Sequence, residues 1–485
     1  MKKAARYIPV RASFDAASRS SESMRHWRGA DVLSADAALS PEVRKIIISR
    51  SRYEVANNGY ACGILNTLAD DCIGTGPRLQ LFPPIGQKED QAAEWEERLE
   101  RRERRWAKWC KAVGLCQKLK IARRTKAMDG EIFIRKEINP KIRGLVKLDL
   151  TLFESEQIGS STFTFIPEYY DNGNPKEVDG ILYDQDGNAT DYRFWRIHPG
   201  AAGFRSTLDS YTVKAQNVIH YANIVRPGQH RGISEIASSL PIFNDLRRFT
   251  NAVLAAAETA AEVSFLLQTD LPPSDEEAVV HLDPGTILEF CRNAGISLPE
   301  GWKASQLKAE QPTSTFSEFV RAKIREASRA LSMPMNVALG DSSGYNYASG
   351  RLDHQTYFRM VTGERSLIAD TVLDDILETY ETLDRIFYPE DYADDVEIDH
   401  DWIFDGFQHV DPLKEANAQA IRLQSKTTTL AEECGADGKD WQKTLRQKIY
   451  EEATEQKLRK AHGLPDATPA AGTPKGETDP DGDEQ

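Results

Sequence analysis

The spacing of apolar and polar positions changes character several times along the chain. Residues 1–40 are rich in Ser, Ala and Arg and carry no period, which predicts an arm that orders only against a partner. From Ser40 the text reads as helix: Ser40 is a cap, Pro41 fits the first turn, and Asn57, Asn58 and Gly59 end or bend the element. A second helix over 60–72 should stop at Gly74 and Gly76. Residues 89–113, EDQAAEWEERLERRERRWAKWCKAV, form a charged helix in which Glu and Arg recur at spacings of three and four. Its aromatic stripe of Trp95, Trp106 and Trp109 reads as packing.

Between Gly130 and Asn223 the period shortens to that of strands, through EIFIRKEI, LVKLDLTLF, DGILYD, DYRFWRI and NVIHYANIV. DNGNP and DQDGN supply hairpin turns, so an antiparallel β-rich block is expected. Ile233–Gln268 returns to a helical period as one long helix, with Pro241 tolerated near its start. Ala255, Ala256, Ala257, Ala260 and Ala261 give it a small-residue middle that admits close helix neighbours, and Val253, Phe265 and Leu266 give it apolar ends. Residues 269–314 are broken by prolines and glycines into a small mixed excursion. A helix follows over Phe316–Leu331, basic along Arg321, Arg325 and Arg329, and ends at Pro334. MNVALGDSSGYNYASG, 335–350, is a polar loop of functional length, and it leads into a long helix from Ala348 to Phe387. Beyond an acidic, aromatic return segment lies a helical subdomain, then an acidic, proline-rich tail expected to be disordered. The whole is α+β.

At 485 residues the chain exceeds what one core organises, so several units are expected. A composition 40% hydrophobic and 28% charged is that of a packed protein. The net charge of −14 disfavours a conventional DNA binder, yet it leaves DNA possible as cargo, because a negative wall lets a duplex slide. No apolar run is expected to cross a membrane: the longest, Val253–Leu267, is interrupted by Glu258 and Glu262. Cys62, Cys72, Cys110, Cys116, Cys291 and Cys434 form no CxxC pair, and reduced thiols are expected.

No hydrolase elbow, phosphate-binding lysine loop, zinc helix or calcium loop occurs, and GTGPRL at Gly74 lacks the strand and third glycine of a dinucleotide site. Asp399, His400, Asp401, Asp405, His409 and Asp411 are the one cluster a metal-dependent hydrolase could use. Their spacing fits no single helix face and reads more simply as a solvated acidic turn. Glu154 and Glu156 alternate on a strand as a contact or solvated face. No catalytic residue, metal or cofactor is assigned.

Five segments taken in order, RSRYEVANNGYACGILNTLADDCIGTGPRLQ, AQNVIHYANIVRPGQHRGISEI, TFSEFVRAKIREASRALSMP, GYNYASGRLDH and VDPLKEANA, resemble the lambda family of phage portal proteins from about residue 41 to 462. The resemblance implies a ring, expected as a dodecamer, with wing, stem, clip and crown regions around a DNA channel at one capsid vertex. By that likeness 41–232 is wing, 233–268 the first stem helix, 269–315 the clip and 316–333 the second stem helix. The tunnel loop is 334–350, the long wing helix and return strand 351–410, and the wing or crown helices 411–463. Asp341, Ser342, Ser343, Tyr345, Asn346, Tyr347 and Arg351 would then face double-stranded DNA, and Ala256, Ala257, Ala260, Ala261 and Phe265 would pack the stem. No Lys or Arg lies between Met333 and Gly350, which points to contact without a strong grip. Implied partners are further copies of the chain, the terminase large subunit, a head-completion or tail connector protein, and a capsid or scaffold protein. Closing a ring also requires two different complementary faces, and the alternating charges of 89–111 suit one of them. The competing readings are a metal-dependent hydrolase built on 399–411 and a connector that encloses no DNA.

Overall fold

Local capping fixes the first elements. Ser34 caps the short helix α1 (Ala35–Ala38), and Ser40 caps α2 (Pro41–Asn57), its Oγ accepting from Val43 N with Pro41 in the first turn. Asn58 ends α2 and opens α3 (Gly59–Ile73) at once: its N–H donates to Glu54 O while its side chain accepts from Tyr60 N. The two helices therefore meet at a corner. The computed structural model describes residues 25–84, 89–160, 168–201, 209–262, 266–269, 302–305, 315–343, 347–392, 396, 398–407 and 412–462. The N-terminal arm before 25, most of the 269–314 excursion and the tail after 462 lie outside them.

A strand β1 (Arg78–Leu81) precedes α4 (Glu89–Val113) and α5 (Leu115–Asp129), which turn on Gly114 at φ 68°. The aromatic stripe of α4 packs as expected: Trp106 and Trp109 are buried, and Trp106 lies 5.0 Å from Tyr380 and 5.6 Å from Trp402 between ring centroids. Trp95 is half-buried. The charge row is different from the expectation. Arg98, Arg101 and Arg104 do pair one turn back with Glu94, Glu97 and Glu100. Arg101, Arg102 and Arg105, however, also reach Asp391, Glu381 and Asp384. Much of this helix's charge is thus neutralised inside the chain and does not await a neighbour.

The β-rich block contains β2 (Glu131–Ile138), β3 (Leu148–Phe153), β4 (Glu177–Val178), β5 (Ile181–Tyr183), β6 (Ala189–Trp195), β7 (Ser210–Lys214) and β8 (Val218–Ala222). They form two antiparallel sheets, ordered β3-β2-β8 and β4-β5-β6-β7. The DQDGN turn joins β5 to β6, with Asp184 Oδ1 accepting from Asp186 N at 3.0 Å and Asn188 N at 2.8 Å. The first sheet turns Ile132, Ile134 and Tyr221 into the helical core. Phe133, Ile158, Ile181, Tyr192, Phe194 and Val218 form a second, smaller core between the sheets.

A charged hub locks these layers together. Glu131 is fully buried and accepts from Arg231 Nε at 2.9 Å, Ser155 Oγ at 2.5 Å and Gly232 N at 2.7 Å, with His220 Nε2 at 2.9 Å and Arg44 at 4.0 Å. Burial alone would push this carboxyl up, but Arg231, the His220 hydrogen bond and Arg44 hold it well below the usual carboxylate range. Asp179 faces both guanidinium groups from the other side. Gly232 passes so close to Gly130 that a Cβ there would sit 2.2 Å from Gly130 O. RPGQHRGI is therefore a clamp that aims the chain into the next helix.

That helix, α6 (Leu240–Glu262), is shorter than the pattern implied. Residues 233–236 are not in it, because Ile233 N donates to Asn223 O and Glu235 N to Ala127 O, and a turn at Ala237–Ser239 intervenes. At the other end 266–269 is not helical either: β9 (Leu266–Thr269) pairs with β10 (Trp302–Ser305). Then come α7 (Thr315–Ser328), α8 (Met335–Leu339), α9 (Tyr347–Ile368) and α10 (Asp374–Phe387). A π-helical turn at Ala369–Leu373 joins α9 to α10 in one rod. Arg365 on α9 donates to the carbonyls of Asp71 at 2.8 Å, Cys72 at 3.1 Å and Asp405 at 2.8 Å, which holds α3 and the end of β11 (His400–Ile403) to the rod. β11 pairs antiparallel with β1. The closing helices α11 (Pro412–Gln424), α12 (Leu430–Ala436) and α13 (Trp441–Ala461) dock through Arg422 on Glu433, Lys443 on Glu103 and Arg446 on Glu96.

Candidate functional site: two antiparallel helices and the loop that follows

α6 and α7 run antiparallel. Ser239, just before α6, donates its hydroxyl to Ala327 O near the end of α7 at 2.7 Å, and Phe249 lies 4.2 Å from Phe319 and 5.6 Å from Phe316. Arg247 ties α6 to α2, with Nη2 2.7 Å from Glu54 and the guanidinium 4.9 Å over Tyr53. The apolar face of α6, Phe243 and Leu246, is covered by this packing. The alanines are not: Ala255 and Ala256 are exposed and Ala257 is half-buried. The side chains of Ala260 and Ala261, and Phe265 altogether, lie outside the described residues.

The segment expected as an open loop from 334 to 350 is more structured than that. Pro334 opens α8, Gly340 closes it at φ 65°, and α9 begins at Tyr347, so of the described residues between the two helices only 340–343 are irregular. Asp341, Ser342 and Ser343 are partly or fully exposed, and Arg351 is exposed on α9. Tyr345 and Asn346 lie outside the described residues, as does the side chain of Tyr347.

The structure brings the basic row and the loop together, a link that sequence spacing did not reveal. Arg321 Nη2 donates to Asp341 Oδ2 at 2.6 Å and to Ser343 Oγ at 3.1 Å. Hydrogen bonds from the Ser343 hydroxyl and N–H, then Arg321, push the Asp341 carboxyl down to about 2. Arg325 stands exposed further along α7 and Arg329 in the turn just after it, Arg329 giving Nη1 to Ser332 Oγ at 3.1 Å. Beneath them Asn336 Nδ2 lies 3.0 Å from His354 Nε2, joining α8 to α9. Hydroxyls, an amide and guanidinium groups are donors of the kind that can hydrogen-bond phosphate and sugar oxygens.

The 399–411 cluster does not converge among the described residues. His400 turns to Asp374 at 3.0 Å, Asp399 lends its carbonyl to Phe82 N, Asp401 is exposed, and Asp405 caps Thr75 through N and Oγ1. His409 and Asp411 lie outside the described residues. A different trio does meet: Glu154, Glu156 and His198, with ligand atoms within 4.8 Å of one another. Arg52 already occupies the space between, 2.9 Å from Glu156 and 3.2 Å from Glu154, so the trio is a closed ion cluster.

Residues 20–365, which contain the clamp, α6, α7, the loop and most of α9, match the model of the phage portal proteins of the lambda family. The chain belongs to that family. A probable portal protein of Halomonas phage phiHAP-1 is 23% identical over 410 residues, 81% of this chain and 77% of that protein. Among solved structures, a chain in the virion of a native gene transfer agent particle is 15% identical at a TM-score of 0.45, covering 81% of this chain and 93% of that one. The HK97 family phage portal protein of Corynebacterium diphtheriae is 12% identical at 0.27, covering 78% and 97%. In this lambda-family portal chain the site just described falls wholly inside the matched region, while α10 to α13 lie beyond it. Among the described residues no helix is long and apolar enough to cross a membrane.

Proposed function

We propose that this portal chain closes with further copies of itself into a ring, expected as a dodecamer, whose axial opening conducts double-stranded DNA at one vertex of a phage capsid. The observation that carries the reading is the antiparallel pair α6 and α7, about 35 Å long on α6. Phe249, Phe316 and Phe319 stack between the two helices, while Ala255 and Ala256 are exposed. Small side chains on an uncovered helix let a neighbouring backbone come close, which a closed heterologous assembly requires.

Arg325, Arg329 and Arg351, with the hydroxyls of Ser342 and Ser343, then face the channel and touch phosphates while the net charge of −14 keeps the duplex from being held. The chain assigns no catalytic group: ATP hydrolysis belongs to a terminase whose large subunit docks at the hairpin end of the stem. After packaging a head-completion or tail connector protein takes that position, and the wing meets the capsid or scaffold protein. Native mass spectrometry of the purified chain at micromolar concentration, with negative-stain imaging, tests the ring; a strict monomer or a particle without an aperture sinks it. Deleting 340–347 should leave the rings intact and impair DNA packaging or retention.

A further inference from the structure

Arg321 and Arg325 stand on α7 at an interval of four, Arg329 follows four residues on in the tighter turn that ends the helix, and only the first of the three is tied to an acid. Arg325 and Arg329 have no carboxylate partner among the described residues. Arg321 is held by Asp341 at 2.6 Å and Ser343 Oγ at 3.1 Å, and Asp341 Oδ1 also accepts from Ser343 N at 2.8 Å. The two charged side chains are 37% and 44% exposed, so water and ions reach the pair. Pairs this open exchange readily. A phosphodiester is a good competitor, because the guanidinium fork matches its oxygens. Acid is a poor one: with its carboxyl down to about 2, Asp341 stays ionised near neutral pH.

We infer that Arg321 is a positioning residue that holds the base of the loop, residues 341–343, against α7 until a phosphate group takes its guanidinium. Asp341, left beside the phosphate, is then repelled by like charge and the loop base comes free. In the same exchange Arg321 becomes available as a third cation along with Arg325 and Arg329. The state of the loop is thereby coupled to whether phosphate stands opposite the stem. The identity of the phosphate as that of DNA rests on the channel reading above, whereas the exchange itself does not.

Hydrogen–deuterium exchange of peptides covering 341–343, measured on the full chain, tests this with a short duplex, with inorganic phosphate, and with sodium chloride at matched ionic strength. Wild type should exchange roughly two- to five-fold faster with duplex or phosphate than with chloride, the range expected for an exposed pair. Arg321→Ala and Asp341→Asn should exchange fast from the start and respond to none of the three. Arg321→Lys should restore the slow baseline but answer phosphate less, since it lacks the fork. Acceleration by duplex alone supports the exchange and assigns its source to the polymer; acceleration by both supports it through anion chemistry. Equal acceleration by chloride, or an Arg321→Ala baseline equal to wild type, overturns it. Rings that form normally but show no exchange leave the channel reading standing and remove the latch, while a monomer that responds to phosphate does the reverse.

Discussion

Replacing Glu131 by Gln should cost about 3–5 kcal/mol of stability, because it breaks a buried ion cluster from one side. The glutamine fills the same volume, and its amide oxygen can still accept from Gly232 N or Ser155 Oγ. What it cannot do is neutralise Arg231 and Arg44, whose side chains are only 2% and 6% exposed. Two guanidinium groups would then share the single carboxylate of Asp179. Urea unfolding at pH 7, followed by tryptophan fluorescence and far-ultraviolet circular dichroism, measures the loss. The sign with pH is set by the depressed folded-state pKa of Glu131: its contribution is complete above the unfolded value near 4.3 and drains away below it. The gap between wild type and Glu131→Gln should therefore be constant from about pH 8 to 5 and narrow only on further acidification. A loss below about 1 kcal/mol, the level of a surface pair, would refute the view that this hub fixes the clamp.

Gly232→Ala should destabilise by about 1–3 kcal/mol in the same assay, since the new methyl would press on the backbone oxygen of Gly130 and not on a yielding side chain. Asp129 behaves oppositely to Glu131: burial pushes its carboxyl up to about 6 against the pull of Arg52. Its charged form is a cost at neutral pH that protonation relieves as pH falls from about 6 toward 4, so Asp129→Asn should remove about 2 kcal/mol of pH dependence over that interval, read from urea midpoints. Rings by native mass spectrometry and packaging by the 340–347 deletion test the channel, and amide exchange at 341–343 tests the Arg321 latch.

Where structure is decided locally, the order of residues foretold it. Ser40-Pro41 and Asn57-Asn58-Gly59 set the ends of α2 and α3 because a cap needs only its own turn. DQDGN made its hairpin for the same reason. The failures are all cases of distant competition. Residues 233–236 have a helical period, but carbonyls at 127 and 223 take their N–H groups first. The carboxylates of 399–411 look dense in one dimension, yet strand alternation sends His400 inward to Asp374 and Asp401 outward. Of the candidate site, the basic row of α7 and the polar loop were each visible as patterns, while the Arg321–Asp341 bond between them and the four-segment hub at Glu131 needed coordinates.

Arg365 gives its donors to main-chain oxygens and not to a carboxylate. Every amino acid brings the same oxygen, so the bonds Arg365 makes do not depend on which side chains stand at 71, 72 and 405. The joint's own tolerance is nil: a lysine offers a single point of charge where three carbonyls converge on a planar fork. Arg365 should therefore tolerate almost no replacement, while Asp71, Cys72 and Asp405 are constrained for other reasons: Asp71 accepts from the Tyr357 hydroxyl, Cys72 is buried in the core, and the Asp405 carboxylate holds Thr75.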